Sequence, residues 1–359
     1  MQTKTNTPHF YSAPGKTFLL GEYAILSGLP AVIATHGPRF EMTASLRTEE
    51  TDETEWKLST FHPKSPISRL LDWASQCGLP ELSLLFRDPY ILGNSGAPGT
   101  PSGGFGASSA QFALVYLTYA GLANWDRKWQ SVWKLYRELT SLPTLPPSGA
   151  DLAAQWKGGI NLFNLNKKES MDLWPLLDWS NFLIFSASGQ ELQQGTGNIK
   201  RKTATHEHLD ELAQKGFPAP SLISELEKPL KEGISALHSA DYEKLGQAFT
   251  AYANTLWKAG LESSETHEDR RALSEFSDVL GVKGSGAMQA DSVVVLLRPR
   301  SLEREKIIET AEKRGLILVS DGLQNELGVR QNFTNNQLNT IRLQGRWEAP
   351  ETHSSPSLL

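Results

Sequence analysis

Cysteine is almost missing from these 359 residues: Cys77 stands alone. A single thiol closes no internal disulfide and supplies no cysteine zinc cluster, so a reducing, cytoplasmic setting is expected. Long apolar runs are missing as well. No stretch reaches the roughly 20 apolar residues that span a bilayer, and Met1 to Lys16 has no apolar core of a secretory signal. Extended basic runs are also lacking. Lys and Arg total 35 against 40 Asp and Glu, a net charge of −5, which argues against non-specific nucleic-acid binding. Neither a membrane nor a nucleic acid is therefore expected as a partner. The sequon at Asn332-Phe333-Thr334 carries no weight without export.

What is present fits a soluble globular protein: 39% hydrophobic and 21% charged residues, with ten Trp and fourteen Phe to fill a core. The length suggests two domains. A boundary between Leu173 and Phe182 gives an N-terminal domain over 1–175 and a C-terminal one over 176–347. The Ser-, Pro- and Thr-rich tail, 348–359, is expected to be disordered. The oligomeric state is left open, a homodimer being one option.

Thr17-Phe18-Leu19-Leu20, Pro30 to Ala34 and the alternating Phe40 to Leu46 read as strands. Ser65 to Gly78 reads as a helix and Leu82 to Phe86 as a further strand. Ser108 to Leu122 is apolar nearly all round, as a buried helix is. Asn124 is expected to cap a helix over Trp125 to Leu142. Phe182 to Phe185 reads as a strand, and polar helices are expected from Ala204 to about Leu280. Val293 to Leu297 and Leu316 to Val319 read as strands flanking a helix over Leu302 to Lys313.

Gly103-Gly104-Phe105-Gly106-Ala107-Ser108-Ser109-Ala110 is the most informative stretch. Its glycines let successive N–H groups face one concavity, and the helix that follows adds its positive end, a combination suited to polyphosphate. Ser108 and Ser109 can cap that helix, bind magnesium, or both; a plain serine-capped turn is the rival explanation. A Walker A loop fails at Phe10 and a dinucleotide fingerprint fails at Ser109, where each needs glycine. Ala13-Pro14-Gly15-Lys16 precedes a strand bracketed by Gly15 and Gly21, with Glu22 at its exit. Val282-Lys283-Gly284-Ser285-Gly286-Ala287 is another glycine-rich turn beside a strand. His206-Glu207-His208 lacks the spacing of a zinc helix.

Together these pieces resemble the ordered signature of the GHMP kinases: galactokinase, homoserine kinase, mevalonate kinase and phosphomevalonate kinase. Ala13 to Lys16, Gly21-Glu22-Tyr23-Ala24 and Gly28-Leu29-Pro30-Ala31 look like their first motif. Gly104 to Ala110 looks like their phosphate loop and Lys283 to Asp291 like their third motif. The resemblance implies an α+β, two-domain fold: an N-terminal α/β domain with the phosphate loop, a C-terminal ferredoxin-like domain, and an active site between them. It implies ATP and Mg²⁺ as cofactors and a small metabolite as the partner.

Pro147-Ser148-Gly149-Ala150-Asp151 then resembles the segment bearing the catalytic aspartate of the mevalonate-type members. Asp151 would accept or orient the acceptor's hydroxyl proton, and Lys16 would stabilise charge on the transferring group. Capping of the following helix is the competing role for Asp151. Gly103, Gly104, Phe105, Gly106, Ala107, Ser108, Ser109, Ser285 and Gly286 would bind ATP. Ser108 matches the family's magnesium serine; Glu138, on the preceding helix, is the candidate second metal ligand and is otherwise a surface carboxylate. Glu22, Tyr23, Ser148 and Lys202 are the candidate substrate contacts.

Gly21 to Ala24, Gly149 to Ala153 and Asp291 resemble phosphomevalonate kinase. Pro101-Ser102-Gly103-Gly104 and Pro147-Ser148-Gly149 look more like mevalonate kinase. A phosphorylated acceptor needs basic partners, which Lys200-Arg201-Lys202 can supply. The expected activity is phosphorylation of 5-phosphomevalonate in the mevalonate (isoprenoid) pathway, with mevalonate as the alternative acceptor. One departure motivates a different class, a catalytically silent ligand sensor: Met288-Gln289-Ala290 stands where the family carries glycines, and side chains there would crowd a phosphate.

Overall fold

The computed structural model describes residues 8–47, 61–63, 65–90, 104–141, 146–187, 219–286 and 292–332, with positions 212, 214, 216, 217 and 289. Gly103, Lys202, Asp291, Met288, Ala290, the 206–208 triplet and the tail lie outside the described residues.

Two antiparallel sheets organise the chain. The first runs β10-β1-β2-β4-β5, with β3 on the far half of β2. Its strands are β1 (His9–Leu20), β2 (Ala31–Leu46), β3 (Leu82–Arg87), β4 (Ile160–Asn164), β5 (Glu169–Asp172) and β10 (Arg330–Asn332). β1 lies between β10 and β2, and from Tyr11 onward it is buried along its whole length. Its ladder slips between Ala13 and Gly15, where Pro14 has no N–H to offer a neighbour.

Four helices accompany this sheet: α1 (Pro66–Gln76), α2 (Ala107–Ala123), α3 (Trp129–Thr140) and α4 (Ala150–Lys157). α2 and α4 lie against β1 and β2. In α2, Phe112 to Ala120 are buried without a break, and only Gln111 interrupts the burial that begins at Ser109, which is why its sequence shows almost no polar face. α1 starts at Ser65, whose hydroxyl accepts from the Ser68 N–H at 3.4 Å.

The expected cap at Asn124 is corrected. Asn124 takes a left-handed conformation that ends α2, and α3 begins only at Trp129. Asp126 supplies the lead-in instead, accepting from the Lys128 N–H at 3.0 Å and the Ser131 hydroxyl at 2.6 Å. Asn and Asp tolerate left-handed and turn geometry alike, so composition alone does not distinguish the end of one helix from the start of the next.

The second sheet has the order β7-β8-β6-β9, built from β6 (Phe182–Ser186), β7 (Val279–Ser285), β8 (Ser292–Leu297) and β9 (Ile317–Asp321). In chain order the four strands sit second, third, first, fourth, the split βαβ arrangement of ferredoxin-like units. Its helices are α5 (Pro220–His238), α6 (Tyr242–Lys258), α7 (Ser264–Leu273) and α8 (Arg304–Lys313). The helical stretch thus ends at Leu273, and the residues up to Leu280 already enter β7.

Side chains alternate across a strand, and here both faces are covered. Val293, Val295 and Leu297 join Leu273, Ile307 and Ala311 of α7 and α8 in one cluster. Val294 and Leu296 share the main core with Leu230, Phe249 and Tyr252 of α5 and α6. That main core continues into the first sheet through Leu19, Leu20 and Val32. The chain changes sheet between Asp172 and Phe182, then returns at its described end, where Phe10 pairs with Asn332.

Candidate active site

Lys16 sits inside β1, opposite Thr35 of β2, and is 7% exposed. Its backbone N–H donates to the Phe105 carbonyl at 3.0 Å, which holds the glycine-rich loop against the strand. Its ammonium lies 5.2 Å from the Phe18 ring centre. Lys16 and the loop are therefore joined in space although 89 positions separate Lys16 from Phe105 (105 − 16).

The loop itself turns on Gly104 and Gly106, with φ of +65° and +92°. Backbone in this region is strained for residues with a Cβ. At Gly106 a Cβ would also sit 2.8 Å from Gln155 Nε2 and 3.0 Å from Lys16 Cγ. Among the described residues no side chain caps α2, and its first-turn N–H groups form the positive end that suits an anion. Ser108 is exposed in that first turn.

Phe105 and Ser109 do something other than face a ligand. Phe105 is fully buried, stacked on Tyr90 at 4.4 Å and edge-on to His36 at 5.3 Å. Its ring is the loop's anchor in the core. Ser109 is also buried, its hydroxyl 2.6 Å from Gln155 Oε1 and 3.0 Å from the Gly106 carbonyl.

Asp151 lies half-buried in the first turn of α4. Its Oδ1 accepts from the Leu152 N–H at 2.9 Å. The preceding Gly149 has φ of +69°, and a Cβ there would come within 2.8 Å of Trp133 Cδ1. Trp133 in turn donates its indole N–H to the Ser148 carbonyl at 2.8 Å. The turn that presents Asp151 is thus clamped onto α3. The Tyr136 phenol is pushed well up, by burial first and then by the charge of Asp151.

The third glycine-rich turn meets the first motif from the second sheet. Ser285 accepts from the Phe18 N–H at 3.2 Å, and Gly286 has φ of +95°. Lys283 is fully buried and uses all its donors. Its ammonium bonds the carbonyls of Phe18 at 3.2 Å and Gly284 at 2.5 Å and forms a short ion pair with Glu22 Oε1. Burial pulls the Lys283 pKa down, against the pull of Glu22. Gln289 is equally buried. Its side-chain amide donates to Glu22 Oε1 at 3.1 Å, and the Thr266 hydroxyl donates to its carbonyl at 3.0 Å. At this position of the departure from the family's glycines, the side chain turns into the protein.

Two candidate residues stand apart. Glu138 is on an exposed face of α3, 3.7 Å from Lys134. Tyr23, buried beside the Glu22 pair, packs edge-on against Phe217 at 5.9 Å. Residues absent from the sequence reading include Gln155, fully buried on α4 one turn after Asp151. A glutamine between the apolar run Leu152-Ala153-Ala154 and Trp156 is the signal that could have marked it, since a buried amide must find partners.

No protein-family model matches the chain. A mevalonate kinase of Aeropyrum pernix is 23% identical over 313 residues, 84% of this chain and 93% of that protein. Among solved structures, Streptococcus pneumoniae phosphomevalonate kinase in complex with phosphomevalonate and AMPPNP is 14% identical. It aligns with a TM-score of 0.65 over 90% of this chain and 99% of its own. The Methanococcus jannaschii mevalonate kinase is 16% identical, with a TM-score of 0.61 over 88% of this chain and 98% of its own. The chain has the α+β fold of the GHMP kinases and is a distant sequence relative of one of their mevalonate kinases.

Proposed function

We propose that this protein is an ATP-dependent kinase of the mevalonate pathway that phosphorylates 5-phosphomevalonate. The observation that carries the kinase reading is the meeting of three distant segments. The uncapped N-terminus of α2, the strand carrying Lys16 and the helix carrying Asp151 are joined through Gln155.

ATP fits this place by the character of the donors: a left-handed glycine loop, a free helix N-terminus and a lysine. Among the described residues there is no group of three or more His, Cys, Asp or Glu to hold a resident metal. Mg²⁺ would come with the nucleotide's phosphates, with the exposed Ser108 hydroxyl as a protein contact. Bound Mg·ATP supplies the phosphoryl group and neutralises charge on it.

The chain's own residues then have distinct tasks. First-turn N–H groups of α2, with those of Gly104 and Gly106, hold phosphate oxygens. Lys16 keeps a fixed positive charge near the transferring group. Asp151 takes the hydroxyl proton of the acceptor or orients it. Among the described residues it has one hydrogen bond, from the Leu152 N–H, which leaves lone pairs for that purpose. Glu138, paired on the α3 surface, is the weaker candidate for a metal contact.

The phosphomevalonate acceptor rests on Gly21 to Ala24, Gly149 to Ala153 and Asp291. Mevalonate is the second reading, supported by the identity to a mevalonate kinase over most of the chain. A silent sensor is the third reading; of the three positions that motivate it Gln289 is described, and its side chain lies against Glu22 rather than in the loop's opening.

A coupled ADP-release assay with mevalonate and 5-phosphomevalonate in parallel tests all three. Turnover with 5-phosphomevalonate alone is expected. Turnover with mevalonate alone moves the assignment to the second reading, and ATP binding without either turnover moves it to the sensor. In the active combination, Asp151→Asn should lower kcat by about a thousandfold or more while leaving Mg·ATP affinity intact. A fully active Asp151→Asn enzyme removes Asp151 from the chemistry.

A further inference from the structure

The glycine-rich loop has few means of its own to hold its shape, because glycines add conformational freedom and no packing. Within α2 the Gly106 carbonyl accepts from the Ala110 N–H at 2.8 Å and lies 3.0 Å from the Ser109 hydroxyl; contacts from outside the loop fix how this turn faces β1 and α4. Three contacts converge on one side chain. Gln155 Nε2 donates to the Pro14 carbonyl at 2.8 Å and to the Gly106 carbonyl at 3.1 Å. Gln155 Oε1 accepts from the Ser109 hydroxyl at 2.6 Å. Both amide protons and one lone pair are thereby used, inside a fully buried site. The Gln155 backbone is tied as well, its carbonyl accepting from the Val329 N–H at 3.0 Å.

The consequence follows from peptide geometry. In a planar trans peptide the C=O and the next residue's N–H point in opposite directions. Holding the Gly106 carbonyl toward α4 therefore turns the Ala107 N–H away from α4. The Phe105 carbonyl, held by the Lys16 N–H, turns the Gly106 N–H away from β1 in the same manner. These are the first donors of the uncapped α2 terminus. Gln155 also sits on the face of α4 that carries Asp151, four residues earlier, since positions i and i+4 are neighbours on a helix.

We propose that Gln155 is a positioning residue: it aims the first N–H groups of the glycine-rich loop and holds that loop in register with Lys16 and Asp151. The structural half of this claim stands on the protein without ligand. The consequence for catalysis rests on the kinase reading above, and the experiment separates the two.

Gln155→Met keeps length and volume but can neither donate nor accept. Hydrogen exchange of the Lys16 amide, bonded to Phe105, reports whether the loop still lies against β1. Losing these bonds should speed that exchange about tenfold or more, while amides of β8 remain as protected as before. Mg·ATP dissociation constants should rise by about the same factor with an unchanged acceptor KM. Thr140→Val, which removes a buried hydroxyl bonded to the Tyr136 carbonyl at 2.6 Å, should leave both readouts unmoved and so controls for general loss of stability.

If Gln155→Met does not fold, Ser109→Ala removes the hydroxyl that lies 2.6 Å from Gln155 Oε1 and 3.0 Å from the Gly106 carbonyl. It should still speed Lys16 exchange, by about threefold. Unchanged Lys16 exchange in whichever variant folds overturns the proposal. Faster exchange with Mg·ATP affinity within twofold of the unaltered protein overturns its catalytic half. Faster exchange in the variant, when the unaltered protein itself binds no Mg·ATP, supports the positioning role and overturns the kinase reading instead.

Discussion

At the residue scale, His36 shows how the support beneath the loop responds to acid. Its ring is buried in β2, with Nδ1 2.9 Å from the Gly37 carbonyl and Nε2 2.9 Å from the Thr17 hydroxyl. A carbonyl only accepts, so Nδ1 carries the proton and Nε2 accepts from Thr17. Burial pulls the imidazole pKa from 6.5 down to about 4, and the nearby Lys16 charge acts in the same direction. The unfolded chain therefore takes up this proton first as pH falls. Stability is complete above pH 6.5 and declines as pH drops towards about 4, by on the order of 3 kcal/mol in all. Urea midpoints between pH 7 and pH 4 should fall less steeply for His36→Asn than for the unaltered chain. Parallel pH profiles would contradict this assignment. Because His36 packs edge-on to Phe105, the same protonation should loosen the loop's anchor.

At the element scale, the junction of the loop with α2 depends on a residue without a Cβ. Gly106→Ala combines a left-handed backbone with collisions against Gln155 and Lys16. We expect a stability loss of about 1–3 kcal/mol and at least a tenfold loss in Mg·ATP affinity, measured by chemical denaturation and calorimetric titration. Gly78→Ala is the matched comparison. Gly78 has φ of +73° and no atom within 4 Å of an added Cβ, so it shares the strain without the collisions. It should lose stability and keep nucleotide affinity. Equal affinities for the two variants would show that the space around Gly106 is unimportant. α4 depends on its own entry in a similar way, through Gly149 pressed on Trp133.

At the scale of the whole molecule, the two sheets are joined by polar bonds as well as by the shared core. β7 reaches β1 through Ser285 and Lys283, and Lys283 pairs with Glu22 just beyond the end of β1. Removing one partner of a buried pair leaves an uncompensated charge, at a cost of about 3–5 kcal/mol. Lys283→Met should accordingly lower the denaturation midpoint strongly, and adding Glu22→Gln should recover part of that loss. A Lys283→Met protein as stable as the unaltered chain would mean that the pair contributes nothing net.

Much was legible in the sequence because it is written in short-range pattern. The buried character of α2 follows from an apolar run with no polar face. The glycine loop follows from Gly104 and Gly106, which only a few backbone conformations require. The strand at Val293 to Leu297 follows from its β-branched, unbroken apolarity, and the order of the three motifs pointed to the fold. Asn124 ends α2 and does not start α3, a choice its residue type leaves open because it suits both ends of a helix. The partners of Gln155, Glu22, Lys283 and Gln289 were not legible at all. Glu22 and Lys283 are 261 positions apart, and Gln155 reaches Pro14 across 141. A residue's type states that it needs a buried partner. Which partner it finds depends on how helices and sheets pack, and that was decided only when the tertiary structure brought them together.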